Sequence, residues 1–198
     1  MFGIISYIFA PTIDALFSRG ISFRLRWRML LLQPLNLITI TLVKLPYLIS
    51  PPFTTTYIPN REGTKFRSLL YLPKRRKEGQ FSPLHISFHA GAFVSGFPEA
   101  QAHYSKLLPE KTGAVVVAPH TRYAPKHVFP AAIDDAEDIV KYCLENCERL
   151  WGADPNLVTV DGFSAGGNFA LAICQNPRIA KVMKASTTFY GVAGRNLC

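Results

Sequence analysis

The sequence predicts an α/β fold with a mainly parallel sheet. Apolar runs of strand length alternate along the chain with longer segments of helical periodicity, and this alternation is typical of parallel sheets. Residues 114–118 are short and rich in valine, as in a strand that is covered on both faces. Residues 130–150 have apolar side chains at helical spacing and acidic side chains near the beginning, which indicates an amphipathic helix.

The other elements follow from the same patterns. Residues 54–58 and 66–72 predict two strands that form a hairpin around the turn at 60–63. Further strands are predicted at 84–88, 157–161 and 185–190, and further helices at 99–110 and 166–174. We therefore expect residues 1–53 to form an apolar amino-terminal segment, acting as a cap or associated with a membrane, and residues 54–198 to form the α/β domain.

The amino-terminal segment leaves three alternatives open. Arg24, Arg26 and Arg28 precede an apolar stretch whose extension to residue 49 has about the 20 residues that a bilayer span needs. Two prolines and several polar side chains, Lys44 among them, disfavour a span. The sequence favours a soluble cap, and its basic flank is also compatible with peripheral membrane contact through residues 1–50.

Charge and composition restrict the partners. The 198 residues carry a net charge of +9, concentrated in the amino-terminal part. The basic run at 74–77 is interpreted as a solvated loop, with a phosphate-binding patch as the alternative. Because no nucleic-acid-binding motif accompanies the charge, we do not expect a nucleic-acid partner.

Cysteines and targeting signals indicate the compartment. The four cysteines have neither metal-site nor disulfide-framework spacing, and no Asn-X-Ser/Thr acceptor occurs. The apolar residues 2–9 lack the basic flank of a secretory signal. We expect a cytoplasmic or membrane-associated intracellular protein that is not secreted and that needs no metal and no organic cofactor.

One pentapeptide carries a specific chemical signal. Gly162-Phe163-Ser164-Ala165-Gly166 follows an apolar strand pattern and opens a predicted helix, and Gly167 extends it. This is the G-x-S-x-G pattern of a nucleophile elbow, in which a tight strand-to-helix turn exposes the serine hydroxyl. Ser164 is therefore the candidate nucleophile.

A second segment supports that interpretation. His89-Ala90-Gly91-Ala92-Phe93 follows the predicted strand at 84–88, where an oxyanion-hole loop of the HGGG type is found in α/β-hydrolases. Residues 120–132, His-Thr-Arg-Tyr-Ala-Pro-Lys-His-Val-Phe-Pro-Ala-Ala, form a third distinctive segment.

In these three segments the chain resembles the hormone-sensitive-lipase-like branch of the α/β-hydrolases, called α/β-hydrolase fold-3. The resemblance implies an α/β-hydrolase fold and hydrolysis of small-molecule carboxylic esters. It assigns the oxyanion hole to the backbone N–H groups of Gly91, Ala92 and Ala165, and motif support to His89, Gly162, Gly166 and Gly167.

The chain departs from the family pattern at several positions. Ala90 and Ala92 replace glycines, a change that the loop tolerates if both residues keep negative φ angles. Phe163 replaces an aspartate beside the nucleophile, and Lys126 replaces a glutamate.

The largest departure concerns the activating partners of the serine. No Asp, Glu or His follows Ser164, whereas the fold requires an acid and then a histidine after the nucleophile. The resemblance ends near the sixth strand, so we expect a fragment that lacks the last strands and has an incomplete triad. His85, His103 and His120 have no acid at useful spacing, and a triad rebuilt from upstream residues is not expected. The alternative is a catalytically inactive binding or interaction protein on the same scaffold.

Overall fold

In the computed structural model, six strands form one sheet in the order β1-β2-β4-β3-β5-β6. The structure describes residues 12–13, 16–17, 20, 22–74 and 79–191. The strands are β1 (Thr54–Pro59), β2 (Lys65–Tyr71), β3 (Ser82–Phe88), β4 (Val115–Pro119), β5 (Ala153–Phe163) and β6 (Met183–Phe189). Strand β2 is antiparallel to both of its neighbours, and β4, β3, β5 and β6 are parallel. The predicted, mainly parallel α/β fold is confirmed.

Helices cover both faces of the sheet. They are α1 (Phe23–Ile49), α2 (Ala102–Thr112), α3 (Ala131–Trp151), α4 (Ala165–Gln175) and the short α5 (Pro177–Ala180), and a 3₁₀ helix at Pro98–Gln101 precedes α2. The larger core lies between the sheet and α3 and α4, and a smaller core lies on the face beneath α2. Strand β5 begins at Ala153, before the predicted residue 157, because its first residues pair with Ser82 and Pro83 of β3.

The predicted turn at 60–63 joins β1 and β2. The side-chain oxygen of Asn60 accepts hydrogen bonds from the backbone N–H groups of Glu62 (3.0 Å) and Thr64 (2.9 Å). An asparagine that bonds the following backbone in this way stabilises a tight turn. The basic run at 74–77 and the apolar residues 2–9 lie wholly or mostly outside the described residues.

A single helix, α1, spans most of the described amino-terminal segment. Ser22 caps it by accepting a hydrogen bond from the N–H of Leu25, and Pro34 and Pro46 lie within it. Its last turns contact the domain, where Tyr47 packs on Phe53 with ring centroids 5.8 Å apart. Within the described residues, no helix is both long and apolar enough to cross a bilayer.

Candidate active site

The carboxyl ends of β3 and β5 bring the two main motifs together. These strands are parallel neighbours, and Phe88 pairs with Gly162 in their register. The loop that begins at His89 and the turn that contains Ser164 therefore leave the sheet side by side. In open α/β sheets, ligands bind at this edge of the strands.

Ser164 lies at the junction between β5 and α4 in an unusual backbone conformation. Its φ is 51° and its ψ is −116°, a region that residues with a side chain rarely occupy. The N–H of Ser164 donates to the carbonyl oxygen of Phe189 (2.9 Å), and its carbonyl oxygen accepts from the N–H of Gly167 (2.9 Å). The turn is thus fixed by its own backbone, and the hydroxyl has no hydrogen-bond partner among the described residues.

Two glycines permit the close contacts of this turn. A Cβ on Gly162 would lie 2.0 Å from the carbonyl oxygen of Gly166. A Cβ on Gly166 would lie 2.3 Å from the carbonyl oxygen of Phe88 and 2.7 Å from that of His89. Real Cβ atoms do not approach so closely. A side chain at Gly162 would therefore force the turn open, and one at Gly166 would push the turn away from the end of β3.

The loop after β3 is folded back on itself. The carbonyl oxygen of Gly91 accepts hydrogen bonds from the N–H groups of Val94 and Ser95, both at 3.0 Å. The condition of a negative φ is not met at Ala92, whose φ is 51°, and the φ of Phe93 is 62°. The loop needs two successive left-handed residues to reverse direction, and it imposes this conformation on residues that carry a Cβ.

Two of the three predicted oxyanion-hole residues, Gly91 and Ala165, line one small cavity, whereas Ala92 and Ser164 are not among its lining residues. Gly91, Phe93, Ala165 and Phe169 contribute to the lining of this cavity, whose volume is about 10 Å³. A space of this size holds about one water molecule. Among the described backbone hydrogen bonds of loops and turns, none has the N–H of Gly91, Ala92 or Ala165 as its donor.

His89 is buried beneath the loop and braces it. Its Nδ1 lies 2.8 Å from the carbonyl oxygen of Ala90, and since a carbonyl only accepts, Nδ1 carries the proton. The Nε2 of neutral His89 is then the acceptor for Nδ1–H of His120 at 3.3 Å, and the two rings stack. Burial lowers the pKa of His89 and places that of His120 well below its usual value, so both rings are neutral at pH 7.

The expectation that His85 has no acid nearby is wrong. His85 Nε2 lies 3.1 Å from Oδ2 of Asp161, and the hydroxyl of Tyr104 donates to the same oxygen. Burial alone would raise the pKa of Asp161, but His85, Ser87 and Tyr104 together lower it. The sequence pattern missed this cluster because β3 and β5 are neighbours in the sheet although 76 positions separate His85 from Asp161.

Sequence reasoning also missed the role of Asp135. The acidic residues near the beginning of the predicted helix at 130–150 suggest only that Asp135 adds charge to the start of that helix. Its carboxylate is fully buried and receives the guanidinium of Arg122 at 2.8–3.1 Å and the backbone N–H of Arg122 at 2.9 Å. Arg122 also reaches Glu62, at 2.6 Å, in the β1–β2 turn. Asp135 therefore anchors the 120–132 segment to α3 and to the first hairpin.

Helix α1 contributes a buried lysine, Lys44, whose charge helps to lower the pKa of His89. The Nζ of Lys44 lies 4.8 Å from the ring centroid of Phe97, and only 9% of Lys44 is exposed. Burial lowers the pKa of Lys44 to about 8, with Glu99 opposing this effect and Arg67 adding to it. Glu99 itself is paired with Arg67 at 2.7 Å.

Phe163 occupies an aromatic cluster in place of the family's aspartate. Its ring stacks on Phe189 with centroids 4.6 Å apart and contacts Tyr104 edge-on at 5.1 Å. The substitution therefore exchanges a charged group beside the nucleophile for apolar packing between β5 and β6. Within the described ranges, no group of three or more His, Cys, Asp or Glu side chains could hold a metal ion.

Comparison with known proteins agrees with this geometry. The family described as alpha/beta hydrolase fold matches residues 85–194. The chain is 38% identical to human arylacetamide deacetylase-like 2 over 109 residues, which are 54% of this chain and 27% of that protein. It is 34% identical to the esterase LipI of Mycobacterium tuberculosis over 111 residues, 55% of this chain and 34% of LipI.

A solved structure is similar over more of the chain. The carboxylesterase EstE1, cloned from a metagenomic library, superposes with a TM-score of 0.69 at 29% identity and covers 81% of this chain and 55% of EstE1. The chain thus spans about a quarter to a half of the length of these relatives. With its matched residues, strand order and motifs, the chain belongs to the α/β-hydrolase fold-3 family.

Proposed function

We propose that this chain is the nucleophile-bearing part of a serine carboxylic-ester hydrolase that acts on small-molecule esters. Ser164 is its nucleophile, and the backbone N–H groups of Gly91, Ala92 and Ala165 form its oxyanion hole. The activity of the whole protein depends on an acid and a histidine outside these 198 residues.

The observation that carries the proposal is the conformation of Ser164. Ser164 has a positive φ at a strand-to-helix junction, and glycines without room for a Cβ stand on both sides of it. This backbone conformation costs about 1–3 kcal/mol for a residue with a side chain. Strain of this kind is found where function requires it, and a nucleophile elbow requires it in order to expose the hydroxyl. The names esterase and carboxylesterase given to LipI and EstE1 support the same chemistry.

The reaction assigns a task to each group. The Ser164 oxygen attacks the ester carbonyl carbon, its proton passes to a base, and the carbonyl oxygen becomes an oxyanion. The N–H groups of Gly91 and Ala92 approach this oxygen from the loop, and that of Ala165 from the first turn of α4, where the helix dipole also favours negative charge. Collapse of this tetrahedral intermediate expels the alcohol part of the ester as an alkoxide, which takes the proton from the base. Water then hydrolyses the acyl-enzyme.

Among the described residues, no hydrogen bond joins a histidine to the Ser164 hydroxyl. The imidazoles of His89 and His120 are stacked and joined by a hydrogen bond, and His85 is held between Thr159 and Asp161. His103 is exposed on α2, and His127 is half-buried in the 120–132 segment, where its backbone N–H donates to the carbonyl oxygen of Tyr123. We propose that the acid and the histidine come from a further segment of the protein, because the relatives are two to four times longer than the part that this chain matches.

The second candidate is an inactive binding or interaction protein on the same scaffold. One observation favours it, namely that the Ser164 hydroxyl has no hydrogen-bond partner among the described residues. The two candidates differ in whether a base exists at all.

The deciding experiment reads the native transcript through the codon for Cys198 and expresses the protein that it encodes. The ester hydrolase predicts a continuing frame with an Asp and a later His, and Ser164-dependent hydrolysis of p-nitrophenyl butyrate. Ser164→Ala should lower kcat at least about 10³-fold. The matched control is Ser186→Ala, on the exposed part of β6, which should keep the activity.

The 198-residue chain by itself should show no Ser164-dependent turnover. Turnover that Ser164→Ala abolishes in this short chain would mean that an upstream histidine is recruited. A transcript that stops at Cys198, with a folded and inactive product, would overturn the hydrolase and favour the binding protein.

A further inference from the structure

Helix α1 exposes a continuous apolar stripe that the hydrolase chemistry does not explain. Its members are large, solvent-exposed side chains separated by three, four or seven positions: Phe23, Trp27, Leu31, Ile38, Leu42, Leu45 and Ile49. At 3.6 residues per turn these intervals place all seven on one side of the helix, over a length of about 39 Å. Their exposed fractions range from 54% to 85%.

The contacts of α1 with the domain fix the direction of the stripe. Lys44 and Tyr47, which lie on the other side of the helix, pack against Phe97 and Phe53. The stripe therefore points away from the sheet. Soluble monomers rarely expose so large a contiguous apolar surface, and where they do it marks an interaction with a protein or a membrane.

The charge around the stripe indicates which partner it fits. Arg24, Arg26 and Arg28 lie in the first turns of α1, and no acidic residue occurs between Asp14 and Glu62. Arg24 and Arg28 are exposed, and their helical positions place them along one border of the stripe. A segment with an apolar face, basic residues beside it and no acidic group is complementary to an anionic lipid surface.

Two further features agree with this partner. Trp27 is 57% exposed within the stripe, next to the arginines, and tryptophan prefers the boundary between lipid headgroups and acyl chains. The side-by-side pairing of two α1 helices in parallel would bring like charges together, which disfavours such a dimer.

We propose that α1 is an interfacial helix that binds anionic phospholipid membranes through this apolar stripe, with Arg24 and Arg28 contacting the headgroups. The lipid surface would lie on the side of α1 that faces away from Lys44. The inference concerns an interaction surface and is independent of whether Ser164 is catalytic.

The test measures binding of the whole chain to vesicles of phosphatidylcholine with and without about a third phosphatidylserine. We expect sedimentation with the anionic vesicles, weaker sedimentation with the neutral ones, and a decrease at high salt because the charge contribution is screened. Brominated acyl chains should quench Trp27, whereas Trp151 is buried in the core and should not respond.

Two double variants separate the contribution of the apolar side chains to membrane binding from that of the arginines. Leu31→Gln with Leu42→Gln should abolish binding to both kinds of vesicle. Arg24→Gln with Arg28→Gln should weaken binding to anionic vesicles about 30-fold, at roughly 1 kcal/mol for each charge. The matched control, Tyr57→Gln with Leu157→Gln, alters exposed apolar side chains on β1 and β5 and should bind like the unaltered chain. Circular dichroism verifies that each variant is folded.

Three results would overturn the proposal. The first is a folded chain that does not sediment with anionic vesicles. The second is binding that the Leu31 and Leu42 substitutions leave unchanged. The third is a dimer that these two substitutions dissociate in the absence of vesicle binding, which would assign the stripe to a second copy of the chain.

Discussion

A Cβ on Gly166 would lie 2.3 Å from the carbonyl oxygen of Phe88, so α4 begins in direct contact with the end of β3. This contact connects the two halves of the proposed site. It sets the distance between the turn that carries Ser164 and the loop that begins at His89. Three predictions concern this contact, the backbone of Ser164 and the burial of α1 against the domain.

Gly166→Ala should destabilise the fold and separate the loop from the turn. The added methyl group meets backbone atoms, which cannot rotate away, and overpacking of this kind costs about 1–3 kcal/mol or more. Urea unfolding followed by circular dichroism measures the loss. Gly191→Ala is the matched control, because its Cβ would meet its nearest neighbours at an ordinary 3.5 Å. Equal stability of the two variants would contradict the contact.

Ser164→Gly should be more stable than Ser164→Ala. Both changes remove the hydroxyl, but only glycine adopts a φ of 51° without steric cost. Glycine relieves about 1–3 kcal/mol of strain in the folded state, but its greater flexibility in the unfolded chain costs about 0.5–1 kcal/mol. The glycine variant should therefore have a free energy of unfolding roughly 1 kcal/mol higher than that of the alanine variant. The free energies of unfolding in urea provide the comparison. An alanine variant as stable as the glycine variant would show that the turn is unstrained.

Between about pH 8 and pH 10 the buried thiols of Cys143 and Cys147, whose pKa burial raises, lower the stability as the pH rises. Lys44 should contribute a rise in stability over the same window. Burial lowers its pKa from 10.5 to about 8, so in this window the unfolded chain binds the proton that the folded chain has released. Stability rises with pH wherever the unfolded state binds more protons, here by roughly 1–3 kcal/mol. Lys44→Met should remove this rise.

The control for Lys44 is Lys111→Met, on the exposed end of α2, which should keep the pH dependence. The measurement is urea unfolding at several pH values from 7 to 10. If the pH dependence of the Lys44→Met variant matches that of the unaltered chain, Lys44 makes no such contribution.

Local sequence patterns were sufficient to predict most of the strands and helices. The valine-rich run of β4 and the amphipathic period of α3 identify their elements because the spacing of apolar side chains reflects burial directly. The G-x-S-x-G segment placed Ser164 at a strand-to-helix junction for a similar reason, since its glycines and small residues are required by the turn itself. The oxyanion roles of Gly91, Ala92 and Ala165 stay predictions.

Local sequence patterns did not predict which segments far apart in the chain contact each other. His85 meets Asp161, and Arg122 meets both Asp135 and Glu62, only because the strand order places β3 beside β5 and the first hairpin beside α3. The positive φ of Ala92 could not be predicted from the sequence, because propensity describes an alanine in isolation whereas the closed loop dictates its conformation. Local hydropathy presents Lys44 as a polar interruption, and its contact with Phe97 depends on how α1 rests on the domain.

The sequence by itself determined the fold class, the family resemblance and the identity of the candidate nucleophile, because each of these is recorded in the spacing of residues close together in the chain. The tertiary structure decided which side chains share a site, which charges are buried and which face of α1 is exposed. These properties depend on strand order and packing, which bring together residues that are tens of positions apart.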